Sequence, residues 1–240
     1  MAESYAAGHE VSHPALQHHF DNMEQQRVAG TLGMWVFLVT EIMFFGGMFL
    51  AYTLYRSQFP LAFASASNHL DLTLGAVNTA VLIFSSFTMA MAVYCTQVGK
   101  RQLQVLCLVL TIVLGLTFLG IKAVEYHDKY VDSLIPGTLI PGRPFHPDVQ
   151  KFHLLPGASL KNVEMFYWIY FAMTGMHALH MIIGVGLLSV LVYWSIRGRF
   201  SPEYHSPVEI TGLYWHFVDI IWIFLFPLLY LLGRHLAHGG

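Results

Sequence analysis

Long apolar runs separated by short charged stretches set the pattern of this chain. Residues 29–55 carry one ionisable group, Glu41, and residues 72–98 carry no Asp, Glu, Lys, Arg or His. The run 102–124 is uncharged until Lys122, residues 165–196 hold only His177 and His180, and residues 209–233 enclose His216 and Asp219. At a rise of about 1.5 Å per residue, roughly 20 helical residues cross a hydrocarbon layer about 30 Å thick. Each run is long enough. The pattern predicts an all-α, polytopic membrane protein, a bundle of five transmembrane helices over about 29–55, 72–98, 102–124, 164–196 and 209–233. A polar N-terminal tail over 1–28 precedes this domain of residues 29–234. The second and third spans, joined only through VGKRQ, read as an antiparallel hairpin of neighbours. Arg56, Pro60 and the run ASASNHLD read as a connection at the membrane surface, and 129–161, rich in Pro and Gly, reads as a long extramembrane loop.

Composition agrees, with 55% hydrophobic and 11% charged residues and a mean hydropathy of +0.55. A net charge of -2 without a basic patch gives no reason to expect nucleic acid as a partner. Cys95 and Cys107 lack metal or redox spacing and read as free thiols. His9, His13, His18 and His19 are scattered through the tail, which reads as solvated rather than metal-binding; with no basic start or apolar core there, insertion is expected to rely on the helices and not on a cleaved leader. Arg27, Lys100, Arg101, Arg197 and Arg199 fall on the side of the N-terminus, against Arg56, Arg234 and the basic residues of the long loop and its approach on the other. Short connections weigh most, which predicts a cytoplasmic N-terminus with the C-terminus and long loop outside.

An ionisable side chain in hydrocarbon costs roughly 2.5–3.5 kcal/mol on insertion scales, so each one needs a partner. Glu41, near mid-span among Phe37, Phe44, Phe45 and Met48, has two readings: a hydrogen bond to another helix, or a carboxyl that exchanges protons and reacts with a hydrophobic carbodiimide. His177 and His180 share a helical face by spacing, but the paired Glu-x-x-His of di-iron bundles is missing, so no metal site is expected. With Asn78, His216 and Asp219 they read instead as an interhelical polar network, approached closely through Gly175, Ala178, Gly184 and Gly186. Lys122 and Glu125 are spaced to pair at the end of the third helix. No nucleotide loop, nucleophile elbow or CxxC occurs, so the residues suggest no catalytic centre. A transporter relaying protons or ions through Glu41 and Asp219 remains an alternative, although the sequence shows no inverted repeat.

Five blocks, in order, carry a resemblance: LGMWVFLVTEIMFFGGMF, VNTAVLIFSSFTMAMAV, GLTFLGIKAVEYHDKY, YFAMTGMHALHMIIG and LYWHFVDIIWIFLFPLLYLLG. The chain resembles subunit III of the haem-copper cytochrome oxidases. That resemblance implies a subunit without a cofactor of its own, bound to the catalytic subunit I and accompanied by subunit II, with haems and copper held by partners and phospholipid bound tightly. It implies a bacterial inner-membrane protein that supports assembly, fast proton uptake and stability during turnover, and it makes Glu41 the carbodiimide-reactive carboxyl. Many members have seven helices, the first two set apart by a lipid-filled cleft; this chain shows five. The five-helix form also resembles the corresponding quinol oxidase subunit, whereas Thr40–Glu41 and the long loop favour the cytochrome c type.

Overall fold

The computed structural model describes residues 17, 19–137, 145–147, 152 and 154–232. Most of the polar tail, parts of the 129–161 loop, and Arg234 lie outside the described residues. Helix α1 (Met23–Gln58) starts where the Asn22 side chain accepts a hydrogen bond from the Gln25 backbone N–H at 2.8 Å, with Glu24 in the first turn. A side-chain oxygen on a free helix N–H, and an acid near the positive helix end, both fix a start there. Residues 23–28, placed in the tail by their polarity, are therefore helix.

Phe59 interrupts the helix because a residue before proline avoids helical backbone, while Pro60 itself, needing no N–H bond, opens α2 (Pro60–Asn68). The connection expected from ASASNHLD is thus a short helix, and a packed one. Ala62, Phe63, Ala64, Ser65, Ala66 and Ser67 are all buried. Their polarity misleads because the Ser65 and Ser67 hydroxyls donate to Leu61 O and Leu229 O, each at 2.8 Å, which leaves small side chains that pack closely.

Helix α3 (Leu72–Gln97) is capped by Asp71, which accepts from Thr73 N and Leu74 N at 2.8 and 3.2 Å. It turns into α4 (Arg101–Val131) through Gly99, whose φ of +75° allows Lys100 N to reach Cys95 O at 2.9 Å. Helix α5 (Leu160–Ile196) ends in the same way at Gly198, with Arg199 N on Trp194 O at 3.1 Å. In both turns a left-handed glycine satisfies the last helical carbonyls. Helix α6 (Ser206–Phe226) completes the bundle and runs into a wider π turn, Pro227–Leu231. Proline lacks the N–H for the regular bond, and the wide turn closes with Leu232 N on Pro227 O, five residues back, at 3.2 Å. Carbonyls at this end are met from outside: Tyr52 Oη donates to Leu228 O at 2.7 Å, Ser67 Oγ to Leu229 O, and Arg56 Nη2 to Leu232 O at 2.6 Å.

Helices α3 to α6 pack around one interior, and α1 lies outside them against α5 and α6. Leu82, Met89, Leu108, Phe118, Met173, Met181, Leu188, Trp215, Val218 and Trp222 fill that interior and are no more than 1% exposed. Trp215 fixes the register. Its ring lies in a slot where a Cβ on Gly115 would come within 2.8 Å and one on Gly184 within 2.9 Å, and its Nε1 donates to Ser85 Oγ at 2.9 Å. Of the other small residues noted on α5, a Cβ on Gly175 would meet only the Tyr126 hydroxyl, at 4.0 Å, and one on Gly186 would meet nothing within 4 Å. Outside, Val36, Met43, Leu106, Val113, Ile182 and Val190 are exposed. An apolar exterior around buried polar groups suits lipid rather than water. Among the described residues, 5 helices of 26 to 37 residues are long and apolar enough to cross a membrane, and the chain is a multi-pass membrane protein.

Candidate functional site

The deepest charges belong to Lys122 and Glu125. Their spacing places them at a helix end; instead α4 runs on to Val131 and the pair sits inside the bundle, 4% and 2% exposed. Lys122 Nζ donates to Glu125 Oε2 at 2.8 Å, to Tyr230 Oη at 2.9 Å and to Tyr170 Oη at 3.2 Å. The two tyrosines in turn donate to Glu125 Oε1, at 2.6 Å from Tyr230 and 2.8 Å from Tyr170. All three ammonium hydrogens and both carboxylate oxygens are thus used, and the Trp222 ring centroid lies 5.0 Å from Nζ. Such closure makes two buried charges tolerable. Helix α4 supplies the ions, α5 supplies Tyr170, and the π turn carries Tyr230 inward, so the cage ties three parts of the chain together. Nearby, Lys129 Nζ donates to His69 O at 2.9 Å, closing the end of α2.

Glu41 meets His180, at 3.1 Å from Oε2 to Nε2, where α1 crosses α5. The His180 Nδ1 lies 2.8 Å from Met176 O, and since a carbonyl only accepts, Nδ1 carries a proton. Nε2 then either accepts from a protonated Glu41 or, as imidazolium, donates to its carboxylate. Either way the pair is neutral. It lines a groove of about 470 Å³ with Phe37, Ile183, Leu187 and Tyr214, and the edge of Phe45 packs on the His180 ring at 5.3 Å.

The other expected members do not join one network. His177, 1% exposed, lies between Phe118 and Trp222 at 5.4 and 5.3 Å, and neither ring nitrogen has a hydrogen bond among the described residues. Residues three apart on a helix diverge by about 60°, enough to send His177 toward α4 and α6 while His180 turns to α1. Asn78 and Asp219 are buried, also without a hydrogen bond among the described residues. His216 bonds through Nδ1 to Ser86 Oγ at 2.7 Å. The network read from the sequence is therefore two separate pairs, Glu41–His180 and His216–Ser86, and three buried polar side chains. Spacing along one helix does not reveal Tyr170 and Tyr230, because they reach Lys122 and Glu125 from other parts of the chain. Polar side chains inside otherwise apolar runs were the available signal. Among the described residues no group of three or more His, Cys, Asp or Glu is placed to hold a metal.

These features define a membrane helix bundle fastened by internal polar contacts. A sequence model described as cytochrome c oxidase subunit III matches residues 10–133 and 148–234, and the chain belongs to that family, subunit III of the haem-copper oxidases. Members are subunits of oxidase complexes, and the family lacks a catalytic metal centre. Similar proteins include cytochrome c oxidase subunit 3 of Gallus gallus, 32% identical over 84% of this chain and 69% of the relative. Cytochrome c oxidase subunit 3 of Thermostichus vulcanus is 31% identical over 85% of this chain and 87% of its own length. The probable quinol oxidase subunit 3 of Staphylococcus haemolyticus is 25% identical over 89% and 94%.

Proposed function

We propose that this chain is the non-catalytic subunit III of a cytochrome c oxidase in a bacterial inner membrane. It binds the catalytic subunit I, alongside subunit II; those partners hold the haems and copper, oxidise cytochrome c and reduce oxygen. Its own contribution is to support assembly, proton uptake and stability, with bound phospholipid on its apolar faces. The N-terminus is cytoplasmic and the long loop and C-terminus are outside. The observation carrying this reading is the family match across most of the chain, and the Lys122 cage supports it, because its groups are spent on one another in a structural fastening. The quinol form is a second reading, favoured by the 94% coverage of the Staphylococcus relative. Glu41, in the lining of its groove, is the carboxyl assigned to carbodiimide reaction and proton exchange.

Purification of the complex from membranes tests both levels. The chain is expected to co-purify with haem- and copper-bearing subunits, and oxidation of cytochrome c rather than quinol by the preparation decides the donor. Glu41→Gln is expected to abolish carbodiimide labelling while oxygen consumption stays within about twofold of the parent, as for a group outside the redox steps. Loss of haem from that variant, or isolation of the chain without haem-bearing partners, contradicts the supporting role.

A further inference from the structure

Two furrows flank α6 on the outside of the bundle. One, of about 480 Å³, lies against α1 and is apolar apart from His216. The other, of about 380 Å³, lies against α3 and is lined by Ser86, His216 and Asp219 among apolar residues such as Ile83, Phe87 and Ile223. The polar three sit near the middle of their helices, hence near mid-membrane. His216 is only partly buried; its Nδ1 is engaged with Ser86, and Nε2 has no hydrogen bond among the described residues. One turn on, Asp219 is 3% exposed and neither carboxyl oxygen is bonded, although Ser86 stands beside it with its hydroxyl on His216.

However protons are arranged along Asp219, Ser86 and His216, the outward ring nitrogen remains a donor or an acceptor in need of a polar partner. At that depth lipid offers only acyl chains, which cannot meet it. A transmembrane helix with a hydroxyl or amide side chain can, since these groups both donate and accept.

We propose that the furrow between α3 and α6 seats a transmembrane helix of a neighbouring subunit, which presents a hydroxyl or amide side chain to His216 Nε2, backed by Ser86 and Asp219. This rests on the reading of the chain as one subunit of an oxidase complex. Phe87, Ile220 and Ile223, exposed along the furrow, supply its apolar walls.

A photo-crosslinking residue at Ile83 or Ile223, in the assembled oxidase in its own membrane, tests the seat, with Val113 on α4 as the control facing away. The furrow positions are expected to yield covalent adducts with another subunit, and Val113 with lipid. His216→Leu is expected to shed the subunit from the detergent-solubilised complex about tenfold more readily, and His216→Gln, which keeps an amide, to restore retention. Lipid adducts alone at both furrow positions, or undiminished retention of His216→Leu, overturn the proposal. Should His216→Leu fail to accumulate, the crosslinks decide. An intact haem-bearing complex with only lipid in the furrow leaves the subunit reading standing, whereas absence of any complex removes both.

Discussion

Lys122→Leu is expected to lower the stability of the folded chain by about 3–5 kcal/mol, because it strands a buried carboxylate that has lost its counter-charge. Glu125 is 2% exposed, and with Nζ gone only the Tyr170 and Tyr230 hydroxyls remain to it. Removing both charges is a different perturbation. The double variant Lys122→Leu/Glu125→Leu leaves no ion in the interior, and its loss is expected to be smaller than that of Lys122→Leu alone. Unfolding in a denaturing detergent, followed by tryptophan emission, measures this directly, since Trp222 lies against the ammonium group. Equal or additive losses would show that the two ions do not act as one unit.

Trp215→Ala is expected to cost about 3–5 kcal/mol, the range for deleting a large buried aromatic ring. The space it vacates is walled by two glycines, Gly115 and Gly184, whose lack of side chains leaves nothing to swing in, and Ser85 Oγ loses its donor. Trp215→Phe keeps much of the ring but not the N–H, and its expected loss is about 1–2 kcal/mol. The same unfolding measurement separates the two contributions. If Phe is as damaging as Ala, the indole hydrogen bond and not the fit between glycines holds α6 in place.

The membrane-crossing helices were legible because bilayer thickness imposes a minimum length on an apolar run, and such runs survive any detail of packing. Helix α2 was hidden by composition: Ser65, Ser67 and Asn68 look like loop residues until the two serine hydroxyls find carbonyls. The pairing of Lys122 with Glu125 could be read from spacing along one helix. Its two tyrosines could not, since Tyr170 comes from α5 and Tyr230 from beyond Pro227, where regular periodicity no longer says which way a side chain faces. His177 and His180 show the reverse difficulty. Shared spacing suggested shared partners, but a modest angular difference on α5 sends one ring among Phe118 and Trp222 and the other to Glu41.

The wide turn after Pro227 is gripped by Tyr52, Arg56 and Ser67 from the first two helices and sends Tyr230 back to Lys122 and Glu125. The first two helices and the end of the last thus meet at one clasp. A nascent chain still lacking that turn can thread the first four rods into the bilayer, yet it cannot shut, so locking of the tertiary structure must wait until Pro227–Leu231 has been made.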